Sequence, residues 1–184
     1  MVTYREATAQ DTAALLDLLR EIMAHHGVPA PGDKHLVAVV QQVLAAPHHV
    51  FLVAEVEGAV VGMCNLIFSF STWSAAPVCE VQDLVVTKSF RRQGIGRGLL
   101  EAAARMAHTR GCRRLFLLAE AWNLEAHRFY RAAGMSEKTC LYFEQDLPPA
   151  ATARGPQTPG NAISSQLGHR PALPDAPEGS GVAV

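Results

Sequence analysis

Apolar side chains recur along residues 1–147 in two rhythms, one suited to helices and one to strands. Val2–Arg5 reads as a short strand. From Asp11, a residue able to cap a helix, Leu15, Leu18, Leu19 and Ile22 return at helical spacing until Gly27 ends the run. Pro29, Pro31 and Gly32 then break the chain. Asp33 can cap a second helix bearing Leu36, Val39, Val40, Val43 and Leu44, which must stop before Pro47. The rhythm changes at Val50, because Val50–Val56 and Ala59–Phe70 are β-rich runs around Glu57-Gly58, the pattern of a hairpin. Val78–Val86 is a further strand. Gly94–Arg110 returns to the helical period, with Leu99, Leu100, Ala103 and Met106 on one side and Gly111 as its stop. Arg114–Ala119 is an apolar strand and Glu125–Ala133 a short helix stopped by Gly134. A last strand pair is expected within Met135–Leu147. This order predicts one mixed α/β domain over residues 1–147, without internal repeats.

Beyond Leu147 the pattern fails. Residues 148–184 contain Pro148, Pro149, Pro156, Pro159, Pro171, Pro174 and Pro177, seven of the chain's 11 prolines, and no aromatic residue. Such a stretch cannot bury enough apolar surface to offset its chain entropy, so a disordered tail is expected. The whole chain of 184 residues is 49% hydrophobic, enough for one packed domain. Its 16 basic residues against 17 acidic ones leave a net charge of −1, which argues against nucleic acid or an anionic membrane as partner. No apolar run approaches the roughly 18 residues of a membrane-spanning helix. Met1-Val2-Thr3-Tyr4-Arg5-Glu6 lacks the layout of a signal peptide, so a cytoplasmic protein is expected.

Metal chemistry finds little support. Cys64, Cys79, Cys112 and Cys140 are scattered, without a C-x-x-C pair, and read as free thiols. The doublets His25-His26 and His48-His49 point neighbouring rings to different sides of an element, a poor chelate, and are expected at loops or helix ends.

The segment Arg91-Arg92-Gln93-Gly94-Ile95-Gly96-Arg97 carries more. A strand, Val81–Val86, feeds a polar loop, and the loop feeds a helix whose first turn contains Gly94 and Gly96. A helix start offers unpaired N–H groups and the positive end of the dipole, glycines admit a close anion, and Arg91, Arg92 and Arg97 add charge. A phosphate-binding loop follows. A Walker A loop would need Gly-Lys-Ser/Thr, which is absent. A dinucleotide loop is the rival, with Glu120 as its acid. Thr87–Gln93 separates strand from first glycine, however, and Leu99 holds the third glycine position.

Val81-Gln82-Asp83-Leu84-Val85-Val86 followed by Arg91-Arg92-Gln93-Gly94-Ile95-Gly96 resembles the central motif of the GNAT family of N-acetyltransferases, R/Q-x-x-G-x-G/A after a strand. Asn123-Leu124-Glu125-Ala126-His127-Arg128-Phe129-Tyr130-Arg131-Ala132-Ala133-Gly134-Met135 resembles their second motif, N-x-x-A-x-x-F-Y-x-x-x-G-F. The resemblance covers about residues 2–147. It implies a central mixed sheet of about six to seven strands flanked by about four helices, with two splayed parallel strands holding acetyl-CoA. Amides of Arg92, Gln93, Gly94, Ile95, Gly96 and Arg97 would cradle the pyrophosphate, with Arg91 adding charge. Leu84, Val85 and Val86 would pair along the pantetheine arm like an added strand. Asn123 would bond that arm, and Ala126 and Phe129 would line it.

The implied chemistry is acetyl transfer to a primary amine in a ternary complex. The acceptor's ammonium must lose a proton, the oxyanion needs an N–H donor, and the leaving thiolate gains from a proton. Tyr130 matches the family's acid. Glu80 falls where histone acetyltransferases of the family carry their glutamate, and would act as base through water. Plain alternation puts Glu80 and Gln82 on one strand face and Asp83 on the other unless a bulge intervenes. Asp83 would then attract or orient the cationic acceptor. The backbone N–H of Val85 or Val86 would serve the oxyanion. Cys79 and Cys140 lack the partners of an activated thiol.

For the acceptor, Phe68–Trp73 and Ala119–Asn123 are similar to segments of spermidine/spermine N-acetyltransferases, whose acid at the position of Gln82 is missing here. Glu80–Val86 and Ala126–Tyr130 look like aminoalkylphosphonate N-acetyltransferases. Both imply a small primary amine, with Gln82, Asp83 and Trp73 near it. A protein Lys or N-terminal acetyltransferase is the rival enzyme, and an acetyl-CoA-binding sensor or scaffold the rival of another class. Homodimers are common in the family, and no residue here decides the point.

Overall fold

The computed structural model describes residues 1–147, so the expected tail lies outside the described residues. Within the described residues, the regular elements all fall in residues 1–136. They run β1 (Val2–Glu6), α1 (Thr12–His25), α2 (Asp33–Ala45), β2 (His49–Val56), β3 (Ala59–Ser71), β4 (Ala76–Val86), α3 (Ile95–Thr109), β5 (Leu115–Phe116) and α4 (Leu124–Ala132). The strands form one sheet in sequence order, antiparallel from β1 to β4 and parallel between β4 and β5.

Both faces of the sheet are covered, which explains why its central strands read as continuous apolar runs rather than clean alternation. On one face Leu15, Leu18 and Leu19 of α1 and Leu36 and Val40 of α2 pack with Phe51, Val53, Met63 and Val85. On the other, Ile95, Leu99, Leu100 and Ala103 of α3 pack with Leu52, Cys64, Leu66, Leu84 and Val86. Glu57 and Gly58 turn the β2–β3 hairpin with positive φ values of 52° and 82°, as a tight hairpin turn requires.

Several expectations are corrected. Among the described residues the sheet has five strands, not six to seven. The strand expected over Arg114–Ala119 shrinks to Leu115–Phe116, because β4 and β5 stay in register only at Cys79↔Leu115 and Glu80↔Phe116. Residues 137–147 form a separate stretch without helix or strand, and Leu141, Tyr142, Phe143 and Leu147 are exposed. Local β-propensity does not make a strand where no ladder partner is present. Asp11 holds the N-cap position of α1 as expected but makes no side-chain cap bond there, and the N-cap of α2 is Gly32 rather than Asp33. The Asp11 carboxylate binds Arg5 and accepts from the Thr8 amide, and Asp33 is the first residue of α2, with Gly32 before it.

Candidate functional site

The loop after β4 reaches α3 through two left-handed residues, Arg92 at φ 62° and Gly94 at φ 81°. Left-handed residues interleaved with ordinary ones are the arrangement from which anion nests are built. A Cβ at Gly94 would meet nothing within 4 Å, so its glycine serves the turn and leaves open space above it. The first bond of the helix runs from the Gly98 N–H to the Gly94 carbonyl at 3.0 Å. The amides of Ile95, Gly96 and Arg97 therefore have no partner inside α3, and Gly94 at the N-cap has no side chain to cap them. Open space, uncapped amides and a helix dipole fit the pyrophosphate that acetyl-CoA would bring.

The arginines divide their work. Arg91 folds back, donating from Nε to the Val86 carbonyl at 2.8 Å and pairing with Glu21 of α1. It fastens the end of β4 to α1. The side chain of Arg92 is mostly exposed and reaches Glu125 of α4 at 3.4 Å, while Arg97 pairs with Glu101 one turn on at 3.0 Å. Gln93 donates from Nε2 to the Ser89 carbonyl at 3.3 Å.

A wedge opens beside this loop. β5 holds β4 only at Cys79 and Glu80, so the edge of β4 from Val81 to Val86 runs on without a parallel partner. Leu84, Val85 and Val86 bond to β3 on their other side. α4 stands nearby and packs Phe129 and Tyr130 against the α3-side core, with Ala126 buried. Asn123 caps that helix, its Oδ1 accepting from the Ala126 amide at 3.2 Å, which leaves its side-chain NH2 for a ligand.

The β4 carboxylates are placed by a bulge. Asn65 pairs with Asp83 but Leu66 with Val81, so Gln82 is the extra residue. The phase of the strand changes there. Cys79 and Val81 point to the α3 side before the bulge, and Leu84 and Val86 do so after it. Glu80 and Asp83 thus share the α1/α2 side with Val85, and the alternation that joined Glu80 to Gln82 is overturned. Asn65, 5% exposed, donates from Nδ2 to Asp83 Oδ2 and Gln82 Oε1, each at 3.1 Å. Burial raises the Asp83 pKa above the usual carboxylate range, partly countered by Asn65 and by His26. Burial likewise raises the Tyr130 phenol, reinforced by Cys64, Glu120 and Asp83. Tyr130 therefore lies within the field of Asp83 and Glu120, and the phenol keeps its proton at neutral pH.

Trp73 stands apart. It lies in the turn between β3 and β4, is 97% exposed, and joins none of these contacts. Sequence reasoning missed Asn65, whose only signal was a polar residue inside an apolar strand. It also missed what the helix-end doublet does. His25 and His26 close α1 and meet Trp122 at ring separations of 6.1 and 5.6 Å, and His26 Nδ1 lies 3.2 Å from Glu120. Burial pushes the Cys79 thiol up to about 12 and the Cys64 thiol higher, so neither is a ready nucleophile. Among the described residues, no helix is long and apolar enough to cross a membrane. No group of three or more His, Cys, Asp or Glu among them could hold a metal ion.

Comparison with known proteins agrees with this geometry. The sequence pattern of the acetyltransferase (GNAT) family matches residues 13–135. The chain is 31% identical over 163 residues to thialysine N-epsilon-acetyltransferase of Bos taurus, covering 78% of this chain and 92% of that protein. It is 28% identical over 153 residues to aminoglycoside N(6')-acetyltransferase type 1 of Stenotrophomonas maltophilia, covering 81% and 96%. An aminoglycoside N-acetyltransferase solved in complex with CoA superposes with a TM-score of 0.68 over 79% of this chain and 95% of that one, at 20% identity.

Proposed function

The chain belongs to the acetyltransferase (GNAT) family, and from that premise we propose that it moves an acetyl group from acetyl-CoA to a primary amine of a small molecule. One observation carries this reading: the uncapped amides of Ile95, Gly96 and Arg97 open beside the unpaired edge of β4, with Tyr130 and Asp83 close by. The loop holds the pyrophosphate on the backbone of Arg92, Gln93, Gly94, Ile95, Gly96 and Arg97. The free edge at Leu84, Val85 and Val86 receives the pantetheine arm, which Asn123, Ala126 and Phe129 enclose. Attack is direct, in a ternary complex, since the buried thiols offer no activated nucleophile.

The roles follow from protonation states. A backbone N–H of Val85 or Val86 steadies the oxyanion. Tyr130, still protonated, serves the leaving sulfur. Glu80 eases deprotonation of the acceptor through water, and Asp83 and Gln82 orient the ammonium. The names of the relatives support a small amine acceptor, since they specify thialysine and aminoglycosides. The deciding experiment measures CoA release from acetyl-CoA against thialysine, spermidine, an aminoalkylphosphonate, an aminoglycoside, free amino acids and lysine peptides. Turnover with at least one small amine is expected. Turnover with peptides alone would make the chain a protein acetyltransferase, and CoA binding without any turnover would make it a sensor.

A further inference from the structure

The acceptor side of the site contains a pairing that the β4 carboxylates do not account for. His26 forms the C-cap of α1, where the carbonyl end of the helix favours a cation. Its Nδ1 lies 3.2 Å from Glu120 Oε1, and its ring meets Trp122 in an edge arrangement at 5.6 Å. Glu120 is anchored in turn, because its backbone carbonyl accepts from His127 Nε2 at 2.9 Å. A carboxylate can only accept, so a ring that turns Nδ1 toward it favours the tautomer with its hydrogen there and the lone pair on Nε2. Among the described residues no group hydrogen-bonds that Nε2.

The surroundings suit a proton acceptor. Glu120, Asp83 and His25 are the charged or titratable groups that face the His26 ring. His25 is itself kept neutral, its pKa lowered by burial, then by His26 and Arg91, against the pull of Glu120 and Glu125.

We propose that His26 Nε2 takes the proton from the acceptor ammonium, and that Glu120 is the positioning residue that fixes its tautomer and supports the resulting cation. The proposal rests on the acetyl-transfer reading of the same site. The ammonium gives one proton to His26, and the freed nitrogen lone pair bonds to the thioester carbon. As the C–S bond breaks, its electron pair stays on sulfur. The sulfur takes the Tyr130 proton while the tyrosine recovers one from the positively charged nitrogen. His26 then releases its proton to water, leaving N-acetylated amine and CoA thiol. His26 thereby takes over the deprotonation assigned above to Glu80, which is left with an electrostatic role toward the ammonium.

The test is a pH profile of kcat/KM with acetyl-CoA and whichever of thialysine, spermidine and sisomicin the wild-type chain acetylates best. A limb rising through the imidazole range is expected. His26→Gln should abolish that limb and lower kcat at neutral pH by about 100-fold or more, with CoA affinity kept. Added imidazole should rescue His26→Gly, and Glu120→Gln should shift the limb to lower pH. The same shift should appear in an NMR titration of the His26 ring, which needs no acceptor. A His26→Gln protein that keeps the limb, or loss of the limb in Glu80→Gln alone, overturns the proposal. An unchanged His26 titration in Glu120→Gln overturns the pairing. Wild-type protein that binds CoA but acetylates none of these amines overturns the transferase reading, and the proposal with it.

Discussion

Asp11 shows how a single side chain can hold two elements together. It accepts from Arg5 at 2.8 and 2.9 Å and from the Thr8 amide at 2.7 Å, and Arg5 also reaches Glu55 of β2. Those bonds, Arg5 first, hold its carboxyl at about 2, below the ordinary carboxylate range. A depressed carboxylate contributes stability that is present above its unfolded value and is lost as pH falls through the folded one. Asp11→Asn should therefore cost roughly 2 kcal/mol at neutral pH, by the usual conversion of pKa shifts. Urea titrations should show the gap to wild type closing between pH 4 and pH 2. At Tyr130 the expectation is kinetic. Tyr130→Phe should lower kcat by about 100-fold or more while CoA affinity is kept, which separates an acid role from a packing role. Equal losses in both would remove the acid.

Among the elements, α3 is the most constrained because it must lie close to the sheet while its first turn faces a ligand. A Cβ on Gly98 would run into the Tyr4 ring of β1. Gly98→Ala should cost about 1–3 kcal/mol through overpacking, read as a fall in the urea midpoint. Tyr4→Ala in the same chain should recover much of that loss, and failure to do so would place the strain elsewhere. The four helices and β1 to β4 were legible because long periodic runs dictate their faces. The start at Asp11 was read correctly and that at Asp33 one residue too late, but a capping residue type did not say which partner its carboxylate would find. The loop and Asn123–Tyr130 were legible as motifs. The Glu80/Asp83 alignment was not, because one extra residue in β4 reverses alternation without leaving a mark in composition. His26 and Glu120 lie far apart in sequence, so no local pattern joined them.

For the whole molecule, the sheet is both the scaffold and the opening. Antiparallel pairing fixes β1 to β4, while the short contact between β4 and β5 leaves a cleft bordered by α3 and α4. A ligand that binds only the folded state stabilises it by mass action, about 2.7 kcal/mol at 100 times its Kd. CoA should raise the melting temperature accordingly, and Gly96→Trp should abolish that rise by filling the cradle. A retained shift would move the coenzyme off the α3 loop.

The bulge at Gln82 carries a consequence at the level of the gene. Removing that one codon keeps the reading frame and restores unbroken alternation along β4, with Cys79, Val81, Leu84 and Val86 all still on the α3 side. A scan of single-codon deletions should therefore find this position better tolerated for folding than its neighbours in the strand. Loss of Leu84 instead keeps the bulge and throws Val85 and Val86 onto the opposite faces, and should unfold the domain.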